Sequence, residues 1–198
     1  MKRIFALSCF ALFCLTILSA QDIVLPTPVK SGGMPLMDAL SKRASTREFS
    51  AEEIDDQVLS NLLWAAWGFN REDKRTAPSS MNKQEVELCV VKKSGAYLWD
   101  AKNNILKQLS KLDLRSFTYS QAYVGPAPIN IVFVGNQNSG VNCGYISQNI
   151  YLYCASEGLG TVARGSFDGK ALSKALNLTE AQVPVLAQTV GKRKTAEK

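Results

Sequence analysis

Arg43, Ser45 and Arg47 stand at alternate positions in the run Lys42-Arg43-Ala44-Ser45-Thr46-Arg47-Glu48-Phe49-Ser50. Two guanidiniums around a hydroxyl suit a bound phosphate, because arginine donates in a planar fork and serine adds a short hydrogen bond. The bland alternative for such a run is a solvated loop ahead of a helix. Three other segments make related demands. Pro78-Ser79-Ser80-Met81-Asn82-Lys83-Gln84 offers hydroxyls and amides just before an apolar stretch. Gly158-Leu159-Gly160 through Arg164-Gly165-Ser166 permits close backbone approach to a flat ligand, since glycine has no Cβ. Lys192, Arg193 and Lys194 supply positive charge after the last apolar run. A ligand with a phosphate at one end and a polar-edged flat ring at the other satisfies all four. No G-x-G-x-x-G joins a strand to a helix, so the dinucleotide fingerprint is missing.

The chain has no histidine. That removes Ser-His and Cys-His nucleophile schemes and most zinc sites, and no metal site is expected. Chemistry must come from carboxylates, Lys, Tyr, Cys or a borrowed cofactor. At 46% hydrophobic and 20% charged, the 198 residues have the make-up of an ordinary globular domain. Residues 1–20 stand apart from it: Lys2 and Arg3, an apolar run from Ile4 to Leu18, then Leu18-Ser19-Ala20 read as a signal peptide cut after Ala20. An uncleaved anchor is the alternative, because Leu18 sits where a small residue is usual. The expected location is exported, periplasmic in a Gram-negative cell, with no stable membrane insertion after cleavage. Lys2 and Arg3 account for two of the formal +6 charges, and without a long basic run the remainder is not a nucleic-acid signature. Cys89, Cys143 and Cys154 remain after cleavage; Cys89 and Cys154 lie in apolar stretches and are most simply buried thiols, with one disulfide the alternative.

The elements follow from spacing. Residues 21–35 carry three prolines and two glycines and form an extended lead-in to a domain over 36–198. Leu36, Met37 and Leu40 predict a short helix. Ala51 to Trp67 has helical spacing, with Ser50 as N-cap and Glu53 completing a capping box. Strands are expected at Val86–Val91, at Tyr97–Trp99 and at Ile129–Val134, and a last one at Val183–Val190. Helices are expected over 103–112, over Gly144–Glu157 and near Lys170–Leu176. Strands and helices mix without a βαβ repeat, so the class is α+β. The aromatic-bearing stretch 115–125 is read as a cover for a substrate, with a packed surface loop the alternative.

The order of these motifs resembles the FMN-dependent nitroreductase family over essentially the whole mature chain. Carrying it are Arg43 to Phe49, Ala77 to Gln84, Ser147-Gln148-Asn149-Ile150-Tyr151-Leu152, Glu157 to Val162 and Val190-Gly191-Lys192. The lead-in Leu25-Pro26-x-Pro28 and the hairpin near Tyr97 are most similar to a compact branch that includes azoline-oxidising flavin dehydrogenases. The resemblance implies a mainly antiparallel sheet flanked by helices, in an interlocked homodimer with FMN sites built from both subunits. It implies that Arg43 and Ser45 hold the FMN phosphate and that Arg47 approaches the N1/O2 edge. Pro78, Ser79, Ser80 and Asn82 would come from the other subunit. Arg164-Gly165-Ser166 would offer a backbone N–H to flavin N5, assigned to Gly165. Arg193 or Lys194 would complete the phosphate site. The activity implied is ping-pong transfer of electrons from NAD(P)H to a nitro compound, quinone or enone. The alternative is an exported flavin-binding or flavin-scavenging module without turnover.

Overall fold

The structure is a computed structural model that describes residues 21–194, so the segment read as a signal peptide lies outside the described residues. Its frame is a seven-stranded sheet in the order β1-β4-β3-β2-β5-β7-β6, with every pairing antiparallel. The strands are β1 (Ile23–Val24), β2 (Glu87–Lys92), β3 (Gly95–Asp100), β4 (Ile105–Ser110), β5 (Ile129–Gly135), β6 (Leu159–Arg164) and β7 (Val183–Lys192). The helices are α1 (Leu36–Lys42), α2 (Asp56–Trp67), α3 (Gly140–Ser156) and α4 (Gly169–Ala175). The α+β class and the antiparallel sheet are as the sequence predicts.

Burial on both faces explains the mainly apolar run of β5, interrupted by Asn130. Ile129, Ile131 and Phe133 meet Leu62, Leu63, Ile146 and Ile150 of α2 and α3. The alternate residues Val132 and Val134 meet Leu172 and Leu176 on the opposite face. Each fully buried aliphatic side chain contributes about 1.5–3 kcal/mol, so this central strand is the main anchor of the fold. Trp67 closes the end of α2 as a packing residue, its indole N–H donating to the Val86 carbonyl at 2.8 Å. Gly158 adopts φ +71, the left-handed conformation that ends α3 and turns the chain into β6.

Three expectations are corrected. The helix ending at Trp67 begins at Asp56, capped by Asp55, whose Oδ1 accepts from the Gln57 N–H at 2.7 Å. Ser50 Oγ accepts from the Glu52 N–H at 3.1 Å in a local turn, but residues 51–55 are not helical, so Ser50 caps no helix. Residues 103–112 contain strand β4 instead of a helix. Ile105, Leu106 and Leu109 fit both periods; pairing with β3 decides it, with Leu106 buried and Leu109 turned outward. The lead-in is not wholly featureless, since Ile23 and Val24 pair with Leu106 and Ile105. The three described cysteines are all free and buried. Burial pushes the Cys89 and Cys143 thiols up to about 12 and raises that of Cys154 as well. No helix of the described residues is long and apolar enough to cross a membrane.

Candidate functional site

Three of the four predicted segments meet at one corner of the sheet, where β6 and β7 lie side by side. The Thr46 N–H donates to the Thr161 carbonyl (2.8 Å), the Ser50 N–H to the Lys192 carbonyl (2.9 Å) and the Lys194 N–H to the Glu48 carbonyl (3.2 Å). Phe49 forms an antiparallel bridge with Arg193, whose Nε donates to the Leu159 carbonyl at 3.3 Å. Phe49 itself is buried against Val124, Ala127 and Val162, which fixes the segment to the sheet. Alternation along this extended strip then leaves Ser45 and Arg47 exposed and Arg43 half-buried.

Close approach explains a glycine here. A Cβ on Gly160 would lie 2.9 Å from Thr46 Cγ2 and 3.3 Å from Arg193 Cγ, so the strip passes over bare backbone. Among the described residues, no ion pair involves Arg43, Arg47, Arg193 or Lys194. Cations gathered without carboxylate partners make an electropositive corner suited to an anion. No group of His, Cys, Asp and Glu among the described residues could hold a metal ion.

Tyr151, on α3, is a member of this site to which sequence reasoning assigned no role. Its hydroxyl accepts from the Ala163 N–H at 2.9 Å and lies 3.0 Å from Ser45 Oγ, and its ring lies 5.3 Å from the Arg43 guanidinium carbon. With the Ala163 bond accepted, the phenol proton is available to Ser45 Oγ, which leaves the serine proton for a ligand oxygen. Helical spacing on α3 places Tyr151 beside the strip, but nothing local in the sequence links positions so far apart.

The outer edge of β6 continues the site. Thr161 and Ala163 direct their backbone groups to that edge, away from β7. Gly165 directly follows β6, about 13 Å from Thr161 at the rise of extended chain. Gly165 and Ser166 are exposed, and the Ser166 carbonyl accepts from the Ser120 N–H (3.0 Å) and Ser120 Oγ (3.1 Å). The Arg164 guanidinium, by contrast, turns into the core. It donates through Nη1 to the Thr118 carbonyl (2.7 Å) and through Nη2 to Asn130 Oδ1 (2.7 Å) and Thr189 Oγ1 (2.5 Å). Burial lowers its pKa below the ordinary arginine value, with Tyr123 and Tyr119 opposing. What the Arg164-Gly165-Ser166 segment offers a ligand is therefore backbone and the Ser166 side chain.

The fourth segment does not reach this corner within one chain. No hydrogen bond among the described residues joins the Pro78–Gln84 loop to it, and the loop leads into β2, separated from β6 by β5 and β7. The loop is a shaped object nonetheless. Met81, Asn82 and Gln84 have φ of 50, 54 and 51, a conformation costly for side chains other than glycine. It is held by Ser79 Oγ, which accepts from the Gln84 N–H, and by Asn82 Nδ2 and Gln84 Nε2, which both donate to the Asp73 carbonyl. Pro78 and Ser80 remain exposed. A cleft of about 340 Å³ beside Trp67, Arg75 and Trp99 includes none of the Arg43, Ser45, Arg47 or Gly165 residues.

Comparison with known proteins follows this geometry. Residues 40–192 match the model of the Nitroreductase family. The Methanocaldococcus jannaschii protein MJ1384, which carries a nitroreductase name, is 27% identical over 182 residues, spanning 80% of this chain and 91% of that one. A crystal structure from Ralstonia eutropha, also named as a nitroreductase, is similar at 38% identity and a TM-score of 0.83, covering 88% of this chain and 90% of its own. A Clostridium acetobutylicum structure named for an NADH oxidase has a TM-score of 0.59 at 22% identity, covering 81% and 90%, and so shows the fold alone. With the corner, the sheet and the match agreeing over most of its length, the chain belongs to the Nitroreductase family of oxidoreductases.

Proposed function

We propose that this protein is a homodimeric FMN-dependent oxidoreductase that takes electrons from a reductant of the NAD(P)H class and passes them to a small acceptor. The observation that carries this reading is the corner itself: cations without partners, the Ser45–Tyr151 hydroxyl pair and the Gly160 approach at one end, the Gly165 N–H at the other. Arg43 and Ser45, with Arg193 or Lys194, hold the phosphate, while Arg47 meets the N1/O2 edge of the ring and Gly165 the N5 position. Bound FMN supplies the two-electron redox chemistry. The reductant loses two electrons and a proton in one half-reaction. A nitro compound, quinone or enone gains them in the other, with a second proton from solvent. No histidine is needed for that balance.

A second copy is called for by the surface of the helices. Val141, Gly144, Tyr145 and Gln148 are exposed along α3, and Leu36, Met37 and Leu40 along the adjoining α1. A Cβ on Gly144 would meet nothing within 4 Å in its own chain, yet mid-helix glycine costs about 1 kcal/mol relative to alanine. Close packing of a partner against α3 accounts for both facts. It would also let Pro78, Ser79, Ser80 and Asn82 of one copy reach the corner of the other. With residues 1–20 acting as a signal peptide, the dimer would work outside the inner membrane.

Purified protein mixed with FMN and passed through gel filtration should emerge yellow, bleach with NADH or NADPH, and recover its colour with a quinone. A colourless product overturns the reading, and bound flavin that no reductant bleaches makes the protein a flavin-binding module instead. Within the site, Tyr151→Phe should weaken FMN binding about fivefold, roughly 1 kcal/mol, by releasing Ser45 and leaving the Ala163 N–H unpaired. Fluorescence titration giving the wild-type Kd would remove Tyr151 from the site.

A further inference from the structure

Arg164 is a buried cation without a counter-ion. It is 5% exposed, and no ion pair among the described residues includes it. Its acceptors are all neutral, and its Nε has no partner. A buried charge held only by dipoles is costly, and a carboxylate beside it would relieve the cost. The place for one is evident. Asn130 Oδ1 already accepts from Arg164 Nη2 and from Thr189 Oγ1, while Asn130 Nδ2 bonds to nothing. Aspartate at 130 would keep both accepted bonds, forfeit only an idle amide and neutralise the arginine.

The charge is tied mechanically to the site. Arg164 directly precedes Gly165, and its Nη1 grips the Thr118 carbonyl. Ser120 in turn donates twice to the Ser166 carbonyl. Hydrogen bonds thus tie the guanidinium, the aromatic stretch and the Gly165–Ser166 turn together. Charge in the interior is little screened by solvent ions, so it acts on whatever binds at that turn.

We propose that Arg164 is a positioning residue that keeps an uncompensated positive charge beside the Gly165 end of the site, biasing bound FMN toward its two-electron-reduced, more negative state. This rests on the FMN reading above. Asparagine at 130 preserves the bias, at a cost in stability.

The test uses the FMN-loaded protein, equilibrated with a redox dye of known potential and read by absorbance. Asn130→Asp should lower the ratio of reduced to oxidised flavin about tenfold at a fixed potential, equivalent to about 30 mV for a two-electron couple, while raising Tm. Arg164→Gln should lower the ratio in the same direction, whereas Arg164→Lys, which keeps the charge but loses the clamp, should stay near wild type. An unmoved ratio in Asn130→Asp overturns the proposal, as does an equal shift in the Lys and Gln variants, which would mark a purely structural role. Should Arg164→Gln fail to fold, Asn130→Asp still decides, because it adds an ion pair and removes no occupied hydrogen bond. Wild-type protein that takes up no FMN overturns the functional reading and this inference together; yellow wild type with an unmoved Asn130→Asp ratio overturns this inference alone.

Discussion

Arg43→Glu should yield a folded protein that leaves gel filtration colourless after incubation with FMN. The Arg43 guanidinium lies over the Tyr151 ring and has no carboxylate partner, so its removal costs the fold little. A surface change of that kind stays within about 0.5 kcal/mol of stability. Its effect on an anion is far larger. A hydrogen bond to a charged group is worth about 1.5–3 kcal/mol, and glutamate adds repulsion to its loss. Binding should weaken at least about a hundredfold, roughly 3 kcal/mol at 1.4 kcal/mol per decade. Thermal melting should be unchanged. A yellow Arg43→Glu protein with the wild-type Kd would show that the phosphate does not sit at this corner.

Gly160→Val should damage both folding and binding, by a different route. Even its Cβ would sit 3.1 Å from Thr46 Cβ and 2.9 Å from Cγ2, closer than side chains tolerate, and valine adds two methyls. The strip cannot simply lift, because the Thr46 N–H is tied to Thr161 and the Ser50 N–H to Lys192. Overpacking of this kind costs about 1–3 kcal/mol. What gives way is the strip that carries Arg43, Ser45 and Arg47, so FMN affinity should fall more than about tenfold alongside Tm. Denaturant unfolding and flavin titration on the same samples check the pair of effects. Normal values in both would mean that the strip has slack the packing does not reveal.

Much of the fold was readable because it is written locally. The apolar run of β5, the helical spacing of α2 and α3, and the glycine turn at Gly158 each owe their conformation to near neighbours or to unconditional burial. The strip of Arg43, Ser45 and Arg47 was legible for a similar reason, since alternate positions in extended chain share a face. The failures are of another kind. Asp55 and Ser50 are both good cap residues and each accepts from the N–H two residues on, yet a helix follows only Asp55. β4 has apolar spacing that suits a helix as well as a strand, and β3 settles it. Tyr151 joins Ser45 across 106 positions, which no spacing rule spans. Arg164 reads as one more cation of the site, yet its side chain faces Thr118 and Asn130 in the core, a distinction set by which face of β6 is buried.

The two margins of the sheet carry a consequence for how copies of this chain can meet. An unpaired strand edge is a template for pairing with another molecule. On one side the outermost strand is β1, only two residues long, so it presents too little ladder to extend. On the other side β6 is stoppered: Arg193 caps the Leu159 carbonyl, Thr46 the Thr161 carbonyl and the Tyr151 hydroxyl the Ala163 N–H. Growth of the sheet from chain to chain, the usual route to runaway assembly in β-rich proteins, is opposed at the β6 margin by the same contacts that shape the anion corner and at the β1 margin by the shortness of that strand. The homodimer proposed above would therefore use the helical faces.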